Sequence, residues 1–128
     1  MDSKVLNYDS VSLIDLFDIQ AGNQREMLKS GMYVGQVGGP LNVELPMDSV
    51  SLSSYHIQQL ISEIGEMLDA DKRWKSHRNV AYDASCKLEE IADCFIVMMN
   101  IAMFSGFDGK DVTKAIIDKL DIVSKRIE

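Results

Sequence analysis

The sequence predicts an all-α chain of four helices, with a long glycine- and proline-rich loop between the first and second, assembled as a homo-oligomer. Three observations lead there. Apolar residues recur at helical spacing in four separate stretches. The stretches are divided by residues that stop regular structure, most clearly Gly35, Gly38, Gly39, Pro40 and Pro46 between the first two and Gly106 before the last. From Cys94 to Phe104 the third helix is apolar round nearly its whole circumference, which calls for the centre of a bundle or a subunit interface. One four-helix chain has too few neighbours to cover it, so a homodimer at least is expected.

At 128 residues, 46% of them hydrophobic, the chain is long enough for a single domain over residues 1–128 with its own core. A net charge of −7 argues against a nucleic-acid polymer as partner, because that affinity comes from clustered lysine and arginine. Cys86 and Cys94 are eight residues apart on one predicted helix, about 12 Å along its axis, too far to bridge. Two free thiols suit a reducing compartment. The first ten residues carry no basic start or apolar core of a signal peptide. The longest apolar run, Cys94 to Phe104, is interrupted by Asn100 and falls short of the roughly 20 residues a membrane span needs. A soluble cytoplasmic protein with no membrane partner is the expectation.

Residues 1–9 are expected to fray. The first helix is predicted from about Val11 to Ser30, with Leu13, Leu16, Phe17 and Ile19 on one side and Ser10 or Ser12 as cap. Gln20, Asn23 and Gln24 fall on its polar face and read as surface residues in preference to amides that recognise a base. The stretch from Gly31 to Asp48 follows as a lid or wrap-around segment. It is no P-loop, since Gly35-Gln-Val-Gly38-Gly39-Pro40 lacks the Gly-Lys-Ser/Thr ending.

The second helix is expected to start near Ser51 to Ser54 and to run to about Asp71 through Ile57, Leu60, Ile61, Ile64, Met67 and Leu68. Glycine inside a helix costs roughly 1 kcal/mol relative to alanine, so Gly65 points to close approach by a ligand or another helix. Lys72, Arg73, Lys75 and Arg78 then gather four positive charges around Trp74, the only tryptophan. As a charge run they need no function; beside an anionic site, Lys72, Lys75 and Arg78 suit phosphate oxygens and Trp74 suits a base. The third helix is predicted from Asp83 to just before Gly106. Asp108 caps the fourth, which runs to the C-terminus through Val112, Ile116, Leu120, Val123 and Ile127. Lys119 and Arg126 share one of its faces, and Lys114, Lys125 and nearby aspartates make a mixed solvent face.

The chemistry concentrates in Glu63-Ile-Gly-Glu66 and Glu90-Ile-Ala-Asp93, with 23 residues between the pairs. Residues three apart on a helix share a face, and antiparallel packing of the two segments would bring all four carboxylates together. The chain has six acid pairs at this spacing, about twice the chance expectation from its composition, so a pair alone is weak evidence. These two stand out by their apolar setting: Leu60 and Met67 bracket Glu63, and Ile96 and Val97 follow Asp93. Acids there are paired or hold a metal, and a hard divalent cation such as magnesium fits oxygen ligands. Asn100, seven residues after Asp93, lies on the same face. A di-iron centre fails because His56 and His77 follow Ser53 and Trp74 by three, not glutamates. An EF-hand from Asp69 or Asp71 fails for want of its glycine and its twelfth-position glutamate. No nucleophile and base pair is localised by the sequence.

This constellation resembles the all-α nucleotide pyrophosphohydrolases of the MazG and dimeric dUTPase superfamily, over roughly residues 55–128 and more weakly in the first helix. Glu89-Glu90-Ile-Ala-Asp93 is similar to their Glu-Glu-Leu-Gly-Asp, Asn100 falls where they carry an asparagine, and Gly106-Phe-Asp108 resembles their Gly-Ile-Asp. The stretch from Ile64 to Arg78 and the compact size resemble short MazG-like proteins of phages. Lys119 and Arg126 match the last-helix Lys-Asn-x-x-Asn-x-x-Arg of the dimeric dUTPases, while Leu120 and Val123 replace the asparagines. Gln20 and Asn23 match the uracil-reading helix loosely.

The resemblance implies a four-helix MazG-like bundle and a homodimer or tetramer that cleaves a nucleoside triphosphate to monophosphate and pyrophosphate. It implies magnesium, with manganese as a substitute, on Glu63, Glu66, Glu90 and Asp93, and Glu63 deprotonating the attacking water. Lys72, Trp74, Lys75, Arg78, Asn100, Lys119 and Arg126 would contact substrate. The alternatives are a nucleotide or metal sensor without turnover and a helical adaptor.

Overall fold

The computed structural model of the chain describes residues 8–29, 46–75 and 82–127. Among the described residues are four α-helices and no named strand: α1 (Leu13–Lys29), α2 (Pro46–Ala70), α3 (Ala84–Phe104) and α4 (Gly109–Ile127), with a 3₁₀ turn at Lys72–Trp74. The all-α expectation holds. Residues 1–7 of the stretch expected to fray, most of the glycine- and proline-rich loop, His77 and Arg78 lie outside the described residues.

Capping sets three of the helix starts where the sequence puts them. Ser12 and Asp15 cap each other: the Ser12 hydroxyl accepts from the Asp15 amide at 3.2 Å, and the Ser12 amide donates to Asp15 Oδ2 at 2.9 Å. Asp108 and Asp111 repeat the arrangement at 2.9 and 3.0 Å ahead of α4. Asp83 Oδ1 accepts from the Ser85 and Cys86 amides and so opens α3. At the other end of α3, Gly106 has φ +94°, and the amides of Gly106 and Phe107 close back on Met103 and Ala102, a Schellman motif that needs glycine.

The second helix departs from expectation. It begins at Pro46 rather than between Ser51 and Ser54, so the serines read as caps lie inside it. Proline stops a helix only in its interior; in the first turn its missing N–H would have no partner anyway, and its fixed φ already suits the helix.

α2 and α3 form an antiparallel hairpin. Its open end is marked by the Ser53 and Ser105 hydroxyls at 3.2 Å, and its closed end by the Lys87 ammonium on Asp71 Oδ2 at 2.7 Å. Asp71 is buried, forms an isolated antiparallel bridge with Tyr82, and accepts two bonds at 2.8 Å from the Arg73 guanidinium, which sits 3.3 Å over the Tyr82 ring. These cations hold the Asp71 carboxyl far below the usual carboxylate range. Part of the positive run after α2 therefore closes the hairpin.

α1 lies across α3 and also carries α4. The α1–α4 crossing is made by Gly109: a Cβ there would sit 2.9 Å from Phe17 Cβ and 3.0 Å from Ile14 Cα. Of the two approaches expected at Gly65, that of another helix is found here instead, since a Cβ at Gly65 meets nothing within 4 Å among the described residues. Beyond that crossing every described residue from Lys114 to Ile127 is exposed, and Lys114–Asp118 and Lys125–Asp121 form the expected mixed face. The all-round burial expected for the third helix does not occur within one chain. Phe95 and Met98 are exposed, and Phe17 and Val97 are the buried hydrophobic side chains among the described residues.

The two glycines separate in a stability measurement. Gly109→Ala should lower the unfolding free energy by about 1–3 kcal/mol through overpacking, whereas Gly65→Ala should raise it by up to about 1 kcal/mol. Urea denaturation of both variants checks the contrast.

Candidate metal centre and adjoining cavity

Halfway along the hairpin α2 contributes Glu63 and Glu66, and α3 contributes Glu90 and Asp93. One carboxylate oxygen each from Glu63, Glu90 and Asp93 lies within 4.8 Å of the others, a spacing that can hold a metal ion. Glu66 stands at the edge of this triad, close enough to act on both Glu63 and Glu90 by charge and hydrogen bonding.

Burial raises the pKa of Glu63, and Glu66, Asp93 and Glu90 push it in the same direction. Glu90 is raised by burial first and then by Glu66 and Asp93. The charges acting most on both groups are carboxylates, with no lysine or arginine among them. Two oxygens, Glu63 Oε2 and Glu90 Oε2, are buried without a hydrogen-bond partner. A buried acceptor left unpaired is costly, and a cation between the oxygens would satisfy both.

A cavity of about 430 Å³ opens beside the cluster, lined by Gln20, Gln24 and Met27 of α1, Tyr55, His56, Gln59 and Glu63 of α2, and Asp93, Ile96, Val97 and Asn100 of α3. Its volume is that of a small-molecule site. Glu63 and Asp93 belong to both cavity and cluster. An amide relay runs along one wall: Asn23 Nδ2 donates to Gln20 Oε1 at 3.2 Å, and Gln20 Nε2 donates to Asn100 Oδ1 at 2.8 Å. Asn100 and Gln24 are buried. The surface role expected for Gln20, Asn23 and Gln24 is thus wrong for Gln24, and Gln20 and Asn23 are tied into the interior.

His56 lines the cavity from α2. It is 1% exposed, stacks on the Phe104 ring at 5.2 Å with Tyr55 edge-on at 5.1 Å, and has Nδ1 3.3 Å from Gln59 Oε1. Burial lowers its pKa, so the ring is neutral at pH 7. With di-iron chemistry rejected, no motif singles out His56, although its position seven residues before Glu63 puts it on the same face of α2.

The other sequence-predicted contacts among the described residues lie elsewhere. Lys72, Trp74 and Lys75 follow the end of α2; the Trp74 indole donates to the Leu68 carbonyl at 3.3 Å and lies under the Lys75 ammonium at 5.2 Å. Lys119 and Arg126 are exposed on α4. Of the described residues expected at substrate, Asn100 is the one that lines this cavity. Among the described residues no single helix is long and apolar enough to cross a membrane. Comparison with models of known protein families, with curated proteins and with solved structures finds no match for this chain.

The carboxylate repulsion makes a pH-dependent prediction for the metal-free chain. A carboxyl whose pKa rises on folding costs nothing below its ordinary value near pH 4, and destabilises increasingly as pH rises through the raised value. In chelator, Glu63→Gln and Glu90→Gln should therefore melt higher than the parent chain at pH 7, and the gap should close toward pH 4. Thermal melts across that range check it; a constant gap would remove the repulsion argument.

Proposed function

We propose that this chain is a metal-dependent nucleoside triphosphate pyrophosphohydrolase, releasing pyrophosphate and a nucleoside monophosphate. The observation that carries the reading is the pair of buried, unpartnered oxygens of Glu63 and Glu90, in a carboxylate cluster that shares Glu63 and Asp93 with a polar cavity. The likeness of Glu63-Ile-Gly-Glu66 and Glu89-Glu90-Ile-Ala-Asp93 to the MazG and dimeric dUTPase motifs supports the same conclusion.

Glu63, Glu66, Glu90 and Asp93 would hold magnesium, or manganese in its place. Bound there, the metal would polarise the phosphate oxygens and offset their charge. Among the described residues no lysine or arginine lines the cavity, so the side chains that do line it leave a triphosphate unneutralised. The nucleoside occupies the cavity, where the relay fixes Gln20 and Asn100 as oriented amides. Because Asn100 Oδ1 accepts from Gln20, its Nδ2 is left as a donor for a carbonyl acceptor on the ligand. Glu63 takes the proton from a water directed at the α-phosphorus.

Pyrophosphate release from a panel of ribo- and deoxynucleoside triphosphates with magnesium tests the reading. Release from at least one substrate is expected, with Glu63→Gln slower by roughly 10²–10⁴-fold, the usual worth of a general base, and Lys114→Ala unchanged. No release from any nucleotide by a folded chain would overturn hydrolysis and turn the reading to a sensor without turnover.

A further inference from the structure

A cation stands one turn from the carboxylate cluster and is turned away from it. In the sequence Lys87 is the one lysine or arginine within four residues of Glu63, Glu66, Glu90 or Asp93. It precedes Glu90 by three positions on α3, where side chains share a face with Cβ atoms about 5–6 Å apart and opposite charges ordinarily pair. Glu90 Oε2 is nonetheless buried without a hydrogen-bond partner, and the charges acting most on Glu90 are carboxylates. The ammonium one turn away does not answer this oxygen.

Asp71 is what holds it. The Lys87 ammonium donates to Asp71 Oδ2 at 2.7 Å, on a carboxylate that is 7% exposed and also accepts two bonds from Arg73. Asp71 lines neither the cavity nor the metal-spaced triad. A bidentate guanidinium already answers its charge, so Asp71 does not need a second cation. Nor does the closed end of the hairpin need Lys87: the backbone bridge of Asp71 with Tyr82 and the Arg73 guanidinium over the Tyr82 ring tie the same end. The effect of the second cation on Asp71 is to take Lys87 off the acidic face of α3. Moved to Glu90, the ammonium would neutralise the cluster from within, and its charge would repel a metal a few ångströms away in a partly buried site.

We propose that Asp71 is a positioning residue of the metal centre: by holding the Lys87 ammonium it keeps an internal cation off Glu90 and leaves the carboxylates open to a divalent metal. The role in metal binding rests on the metal reading above; the partition of Lys87 between Asp71 and Glu90 does not. A merely bracing Asp71 and a withholding Asp71 differ in one consequence. If Asp71 only braces the hairpin, removing Lys87 in its absence repairs nothing. If it withholds Lys87, that removal restores the site.

Manganese titration followed by electron paramagnetic resonance reads affinity without requiring turnover. Asp71→Asn should bind manganese about tenfold or more weakly than the wild type, as a positive charge a few ångströms from the ion requires, and Asp71→Asn with Lys87→Met should return to within about threefold of it. A second readout needs no metal. In chelator at pH 7, the effects of Lys87→Met and Glu90→Gln on the melting temperature should add while Asp71 is present and fail to add in the Asp71→Asn background, the signature of a new Lys87–Glu90 contact. Should Asp71→Asn not fold, Lys87→Met alone carries the test, because it keeps Asp71 and its Arg73 bonds. Its manganese affinity should stay within about threefold of the wild type, and a gain of about tenfold would show the ammonium already on the cluster and overturn the proposal. Equal weakening in the single and double Asp71 variants, or additive melts in both backgrounds, would overturn it as well. A wild type that binds no manganese would sink the metal reading instead, and the melts would then decide where Lys87 goes.

Discussion

Four carboxylates held between two helices, without a cation among the charges that act on them most, is the constraint on which the rest of the structure depends. Burial and the neighbouring carboxylates both disfavour the charged forms of Glu63 and Glu90, so the hairpin must fix its register by other means. It does so at its ends. The Lys87–Asp71–Arg73 clasp ties the closed end, and the Ser53–Ser105 contact marks the open one. A slip of α2 by one turn would move Glu63 by about 5.4 Å along the axis, more than the 4.8 Å that now spans the triad. The clasp, remote from the chemistry, keeps the carboxylates facing one another.

The cavity depends in turn on α1. Its amides reach the interior because α1 lies across α3, with Gln20 bonded to Asn100. Phe17, one turn before Gln20, meets α4 at Gly109, where no side chain would fit without displacement. A hydrophobic crossing on one side of α1 therefore positions the polar relay next to it. Acids and amides come from different helices and converge because α3 supplies both Asp93 and Asn100, seven residues apart on one face.

The four helices were legible because their signals are local. Asp83, Asp108 and Ser12 declare their helix starts through bonds to residues two or three positions away, and Gly106 declares an end through a backbone conformation that favours glycine. The acid pairs were legible for the same reason, since i and i+3 fix their direction. What a single helix does not encode was missed. Gln24 and His56 look like ordinary polar residues until α1 crosses α3 and encloses them. Pro46 carries the same composition signal whether it breaks a helix or opens one. Gly65 and Gly109 cannot be told apart by propensity, because the difference is whether another helix passes within 3 Å.

Among the described residues the buried apolar side chains are Phe17 and Val97, which leaves little within one chain to hold a repulsive cluster together. A cation bound only by the folded state would add stability that grows with its concentration, about 2.7 kcal/mol at one hundred times its dissociation constant. It would act where the repulsion acts, drawing α2 toward α3 from the front. On the reverse side of the same two helices Ile61 and Phe95 stay exposed within one chain, where burying large side chains would stabilise in proportion to the area removed from water. Neither substitutes for the other: apolar contact cannot satisfy the unpaired oxygens of Glu63 and Glu90, and a cation cannot remove Phe95 from water.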